Sequence, residues 1–357
     1  MKLAMISFTE RGCRLCRNLS EALEVQGYCC EAYAMKKYAE PHQLIPLTKP
    51  LQEWTGEMFE ACDAICFIGA SGIAVRSIAP FVRDKTKDPA VVVMDEKGIF
   101  AISLLSGHLG GANDLAGVLA NLTGAIPVIT TATDVNGKFA VDVFAKKNRL
   151  YIENMTYAKE ISADVLDEKP VGFYSDFPVL DQIPEEIIPV TKEQVFEGTN
   201  GMAVTLYPNI QPFKHTLHLI PKILTVGIGC RRGTDAAEIE QAVMESLSAA
   251  GFSIHGIEQI ASIDLKAEEP GILSFCEKYK IPFVTYSKEE LSEVKGTFTE
   301  SEFVKEITGV SNVCERSAVL GSLRGRLIQK KKVAKGIEKA LGITTAIALR
   351  EWSVEFE

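Results

Sequence analysis

The sequence predicts an α/β protein: two α/β domains with open, mostly parallel sheets, joined by a small irregular α+β middle domain. Three observations carry this. Apolar runs of strand length alternate with segments of helical period over residues 2–140 and again from residue 223 onward, the pattern of doubly wound sheets. Between them Pro178, Pro184, Pro189, Pro208, Pro212 and Pro221 interrupt short apolar runs, which favours irregular structure. Several apolar runs also end in glycine-rich loops that open a helix. The domains expected are 1–140, 141–221 and 222–357.

In chain order, residues 2–8 form a first strand, 13–25 a helix with Leu15, Leu19 and Leu23 on one face, and 28–34 a second strand. Residues 39–50 carry three prolines and form a loop; 51–59 form a short helix and 64–68 a buried strand. Gly69-Ala70-Ser71-Gly72 then opens a helix that is interrupted near Pro80. After a charged segment, strand 90–94 passes through the tight turn Asp95-Glu96-Lys97-Gly98 into strand 99–105. The loop Ser106-Gly107-His108-Leu109-Gly110-Gly111 leads through Asn113-Asp114 into a helix over 115–122. Strand 126–129 and the loop Thr130-Thr131-Ala132-Thr133-Asp134 complete the domain.

Helices over 141–147 and 158–166 and strands near 202–207 and 216–220 make up the middle domain. His215 and His218 fall in that last strand, where packing or surface roles outweigh metal binding. The carboxy-terminal domain opens with strand 224–229, the loop Cys230-Arg231-Arg232-Gly233-Thr234 and a helix over 235–249 with Thr234 as its N-cap. Strands near 256–262, 282–286, 326–329 and 344–349 and helices ending at Tyr279 and Gly321 follow, with Lys330-Lys331-Lys332 as a charged turn.

Composition narrows the function classes. The chain of 357 residues is 46% hydrophobic and 24% charged with a net charge of −9. That weighs against nucleic acid and anionic membranes as partners. No apolar run reaches the length of a membrane span, and the first eight residues resemble a strand more than a signal, so a cytoplasmic protein is expected. Nine dispersed cysteines imply reduced thiols; Cys13-Arg14-Leu15-Cys16 is a lone CxxC, better explained as small buried hydrophobes than as a redox or metal pair.

In an open α/β sheet the loops at the carboxyl ends of the strands converge on one crevice, so the loops at 69–76, 103–114 and 130–134 are expected to line one site. His108 is the candidate acid or base, since an imidazole titrates near neutral pH. Ser106 and Ser71 are candidate nucleophiles, although neither lies in a G-x-S-x-G elbow. Gly69, Gly72, Gly107, Gly110 and Gly111 bring backbone N–H groups toward an anion or carbonyl oxygen, or simply make tight turns. Asn113, Thr131, Thr133 and Asp134 supply polar contacts; Asp84, Asp88, Asp95 and Asp134 are orienters, bases or plain loop caps. Arg76, Arg231 and Arg232 suit a carboxylate-rich or phosphate-bearing ligand, or are solvated charges. Asp264, Lys266 and Glu269 form a second polar cluster or a surface turn. G-x-G-x-x-G fails after Gly227, because Arg232 stands where the third glycine would, and neither the 69–72 nor the 106–111 loop matches G-x-x-x-x-G-K-[ST].

Segments 69–79, 84–85, 88–93, 103–114, 127–134, 226–233, 263–269 and 344–348 resemble the cobalt-precorrin-5A hydrolase (CbiG) family of anaerobic cobalamin biosynthesis. The string from Ser106 to Asn113 is the most specific of them, and the Cys13/Cys16 pair stands outside the pattern. The resemblance implies hydrolytic opening of the δ-lactone on the ring-A acetate of cobalt-precorrin-5A, with loss of acetaldehyde to give cobalt-precorrin-5B. It implies a small-molecule cobalt-corrinoid substrate, no cofactor of the chain's own, no metal site, and a homodimer or other cobalamin-pathway enzymes as partners. A non-catalytic corrinoid carrier and a sugar-phosphate enzyme remain as the alternative classes.

Overall fold

The computed structural model describes residues 1–84, 87–108, 110–191, 194–335 and 340–356. Lys85 and Leu109, both in the strings quoted above, lie outside the described residues. The chain divides into two compact units, residues 1–143 and 144–357.

The first unit is built on a seven-stranded sheet of order β3-β2-β1-β4-β5-β6-β7. Its strands are β1 (Lys2–Ser7), β2 (Cys29–Met35), β3 (Ile45–Leu47), β4 (Ala64–Ile68), β5 (Ala90–Met94), β6 (Phe100–Leu105) and β7 (Ile126–Val128). The central runs Ala-Ile-Cys-Phe-Ile and Ala-Val-Val-Val-Met are buried at every position, as strands covered on both faces must be. Helices α1 (Glu10–Val25) and α4 (Ala112–Thr123) cover one face, packing Leu19, Leu23, Leu115 and Leu119. Helices α2 (Leu51–Ala61) and α3 (Ser71–Ile78) cover the other, with Trp54, Met58, Ala74 and Ile78. Thr9 caps α1 by accepting from the Gly12 N–H at 3.1 Å. Cys13 and Cys16 both sit in the first of these cores. Burial pushes both thiols up, so neither is a ready thiolate.

Strand direction changes once in this sheet. The Asp95 carboxylate accepts from the N–H groups of Lys97, Ile99 and Phe100 at 2.7–2.8 Å and ties the turn. Burial works against the charge, but these amides outweigh it and hold Asp95 below the usual carboxylate range. The turn makes β5 and β6 antiparallel, and β7 runs parallel to β6. The carboxyl ends of β6 and β7 therefore lie at the opposite end of the sheet from those of β1, β4 and β5.

The second unit carries two sheets. Strands β8 (Leu150–Ile152), β9 (Val171–Ser175), β10 (Ile187–Pro189), β11 (Asn200–Val204) and β12 (His215–Pro221) are ordered β10-β9-β11-β12-β8, parallel except for β8. This sheet is more regular than the prolines suggest. Pro189 and Pro221 close strands, and the others lie in connecting loops, where a missing N–H breaks no ladder. His218 is buried, with Nδ1 2.6 Å from Glu153 and Nε2 2.8 Å from the Ile210 carbonyl oxygen. Half-exposed His215 contacts Glu160 and Asn200. Both are packing roles.

The second sheet has order β15-β14-β13-β17-β16, from β13 (Leu224–Gly229), β14 (Ile257–Ile263), β15 (Phe283–Tyr286), β16 (Arg326–Lys335) and β17 (Ala340–Leu349). Helices α7 (Ala236–Ala250), α8 (Pro270–Tyr279) and α9 (Cys314–Gly321) pack on it; α5 and α6 (Ala132–Val135 and Val141–Lys147) belong to the stretch before β8. Lys330-Lys331-Lys332 lies inside β16 and is not a turn. An edge strand tolerates such charges, which blunt edge-to-edge pairing. The Lys331 N–H donates to Glu315 at 2.6 Å and Lys332 Nζ to the Glu245 carbonyl at 3.0 Å. Among the described residues no helix is long and apolar enough to cross a membrane.

Candidate active site around His108

Helix α4 begins where the loop 106–111 folds back on itself. The Ala112 N–H donates to the Ser106 carbonyl at 3.1 Å, Asn113 N–H to Gly107 at 3.0 Å, and Gly111 N–H to His108 at 3.0 Å. These three amides are consumed inside the loop, and the Gly69 N–H likewise donates to the Met94 carbonyl at 2.8 Å. Of the glycines expected to cradle an anion, Gly69 and Gly111 thus spend their N–H groups on closing the loops. Gly111 takes φ 89°, a left-handed conformation that suits glycine. A side chain on Gly110 would place its Cβ 2.4 Å from Ser106 Cβ. Ser106 itself is left-handed (φ 57°), and its hydroxyl oxygen is buried without a partner. A hydroxyl enclosed in this way does not present itself to a substrate carbonyl, which corrects the expectation of Ser106 as a nucleophile.

This loop meets the ends of β7, α5 and α6. His108 Nε2 lies 2.6 Å from Asp134 Oδ2, and Nδ1 lies 3.4 Å from Asp142 Oδ1. Thr133 Oγ1 is 3.4 Å from Nε2. Asn113 Nδ2 donates to the same Asp134 oxygen at 2.7 Å and to Thr131 Oγ1 at 3.3 Å, while its Oδ1 accepts from Ser103 Oγ at 2.6 Å. A carboxylate only accepts, so the Asn113 amide orientation is fixed by its partner. His108, Asn113, Thr131, Thr133 and Asp134 are therefore brought together as the spacing suggests.

The imidazole is 12% exposed, Asp142 16% and Asp134 37%. Asp142, then Asp134, raises the His108 pKa against the opposing effect of burial, to about 9. At neutral pH the ring is an imidazolium. This corrects the expectation of a group poised near pH 7: the site holds a charged acid, not a free base. Folding raises this pKa from an ordinary value near 6.5, so the bound proton stabilises the fold fully below about pH 6.5, and the benefit fades toward pH 9. Between pH 6 and pH 9.5 the stability gap between the wild type and His108→Gln, read from thermal unfolding, is expected to close by roughly 3 kcal/mol. An unchanged gap would show that the pair is not charged.

The loop after β4 is elsewhere. Gly69, Ser71, Gly72 and Arg76 follow the carboxyl end of a strand whose direction opposes β6 and β7. They sit a strand length away from the His108 loop, roughly 13 Å at 3.3 Å per residue. Ser71 is exposed in the first turn of α3, and the Arg76 guanidinium folds over Gly72, its Nη1 3.4 Å from where a Cβ would stand there. The single crevice expected for all three loops is thus divided between the two ends of the sheet, and Ser71 is removed from the imidazole. Asp88 caps its own loop through the N–H groups of Arg83 and Asp84, which is the plainer of the two readings for that residue.

Arg231 and Arg232 are exposed between β13 and α7 in the second unit. Asp235, not Thr234, caps α7, accepting from Ala237 N–H at 2.8 Å, while Thr234 Oγ1 donates to the Arg231 carbonyl. The helix starts one residue later than expected, which moves the cap. Glu269 holds this loop, accepting from Gly233 N–H at 2.7 Å and from Lys266 Nζ at 2.8 Å. The Arg231 side chain lies across Gly342. Among the described residues no group of three or more His, Cys, Asp or Glu is placed to hold a metal ion.

The residue that sequence reasoning missed is Asp142. In the first turn of an amphipathic helix an aspartate resembles a charge complementing the helix dipole, and nothing in its spacing ties it to a loop 34 residues earlier.

The family models described as cobalamin synthesis G N-terminal, cobalamin biosynthesis central region and cobalamin synthesis G C-terminus match residues 53–134, 139–221 and 224–348. The cobalt-precorrin-5A hydrolase of Salmonella typhimurium is 33% identical over 348 residues, covering 96% of this chain and 97% of that protein. That of Priestia megaterium is 32% identical over 363 residues, covering 97% and 94%. A solved cobalamin biosynthesis protein G homologue from Sulfolobus solfataricus aligns over 98% of this chain and 97% of its own, at 23% identity and a TM-score of 0.42. Matched by all three of its models in order and by curated relatives along nearly its whole length, the chain belongs to the CbiG family of cobalamin biosynthesis.

Proposed function

We propose that this chain is a cobalt-precorrin-5A hydrolase, opening the ring-A δ-lactone and releasing acetaldehyde to give cobalt-precorrin-5B. Two near-full-length relatives that carry the hydrolase name support the assignment. The observation in this chain that carries it is the His108 imidazolium set between Asp134 and Asp142, a proton donor beside an exposed carboxylate.

Lactone hydrolysis asks for both. Water must be oriented toward the carbonyl carbon, and the ring oxygen that leaves must receive a proton. We assign the second task to His108 and the first to the Asp134 carboxylate, the more solvent-exposed of its two partners. Asn113 holds that carboxylate in place. Opening adds one water and frees a carboxylate and a hydroxyl. Loss of the hydroxyl proton then lets the carbon–carbon bond break: acetaldehyde departs, and the electron pair stays on the macrocycle carbon, which takes up a proton. The macrocycle is the electron sink and cobalt travels with the substrate, so we assign no cofactor of the chain's own.

The test is an anaerobic incubation of the purified protein with cobalt-precorrin-5A, trapping the volatile product. One equivalent of acetaldehyde per equivalent of substrate consumed is expected. A folded protein that binds the corrinoid and releases none would be a carrier, and the hydrolase reading would fall.

A further inference from the structure

A carboxylate on one nitrogen of a histidine ordinarily makes the other nitrogen a base. It takes the N–H on its own side and leaves a lone pair opposite, as in hydrolytic Ser-His-Asp sites. Asp134 alone would do this to His108 through Nε2, leaving Nδ1 to accept a proton. Asp142 occupies that second position, 3.4 Å from Nδ1 and less exposed than Asp134. An ionised carboxylate offers no proton, so a ring flanked on both nitrogens must donate from both. From this geometry we infer that Asp142 is the positioning residue that makes His108 a proton donor rather than a base.

The surroundings agree. Asp134 from α5 and Asp142 from α6 face the ring, and α4 presents the uncharged amide of Asn113. The raised His108 pKa follows from the same two carboxylates, with Asp142 the larger influence because it is the better shielded from solvent. Asp142 touches no reacting atom in this account and acts through the ring. Its kinetic consequence rests on the hydrolase reading; its effect on the ring does not.

The experiment uses the full-length protein and its Asp142→Asn and Asp142→Glu variants, with two readouts. In the first, the five histidine rings are titrated by NMR, and the His108 signal is identified by its absence in His108→Gln. The His108 midpoint is expected to fall by at least one pH unit in Asp142→Asn and to be restored in Asp142→Glu. In the second, acetaldehyde release is followed against pH. The alkaline limb of kcat/KM should move down in Asp142→Asn, so that the ratio of rates at pH 8.5 and pH 6 drops at least about threefold relative to the wild type. An unmoved midpoint in Asp142→Asn overturns the inference, as does a wild-type His108 that titrates near 6.5, should the variant not fold. If the wild type releases no acetaldehyde, the hydrolase reading fails alone, because the NMR titration still decides the role of Asp142.

Discussion

Replacing His108 by glutamine is expected to lower acetaldehyde release by about 10²–10⁴-fold, the usual cost of removing a positioned acid. Glutamine keeps a donor of similar reach, and its amide can still bond one of the two carboxylates. It cannot hand over a proton at any accessible pH. The loss should fall on kcat with KM little changed, since the interaction matters only as charge develops on the departing oxygen. The remaining activity should also lose the alkaline limb expected of the wild type near pH 9. Retained kcat in a folded variant would leave the reaction in place and remove His108 from it.

The largest effect on stability is expected from Gly227→Ala. Gly227 lies in β13, where α9 crosses closest. A Cβ there would stand 1.8 Å from the Cys314 carbonyl oxygen and 2.8 Å from its carbonyl carbon. The clash is with backbone, so no rotamer relieves it, and either α9 lifts or the strand shifts. Overpacking of this kind costs about 3 kcal/mol or more, roughly 10 °C in the melting temperature of a unit this size. The same substitution at Gly117 supplies the contrast. That glycine is inside α4 with nothing within 4 Å of a new Cβ. Alanine there should stabilise by about 0.5–1 kcal/mol through helix propensity alone. Thermal unfolding of both variants checks the pair, and a Gly227→Ala protein that melts with the wild type would refute the close approach.

The elements of the first unit were legible because their signals are local. A buried strand such as Ala90–Met94 is an unbroken apolar run, and helix Ala112–Thr123 opens directly after two glycines. His108 and Asp134 were legible as candidates because both sit in short polar loops after strands. The glycine loop at 69–72 does not belong with them. The turn at 95–98 is visible in the sequence, but convergence of loops on one crevice holds only for strands that run the same way. One hairpin reverses β6 and β7 and sends their loops to the other end of the sheet. Asp142 was not legible at all, since its role arises from tertiary placement, and the burial of the Ser106 hydroxyl has no sequence signature either.

The strand order of the last sheet bears on how the chain acquires its structure. The seven-stranded sheet is complete once residue 128 is available, and most of its pairings join neighbouring segments. In the last sheet β17 lies between β13 and β16 and pairs with a strand up to 125 residues earlier, Leu224 opposite Leu349. During synthesis β13 waits with one edge unpaired until residue 349 has emerged, a long-range closure that is intrinsically slow. The first unit should therefore gain protease resistance well before the second on a translating ribosome, and the exposed flank of β13 is where a chaperone would be needed.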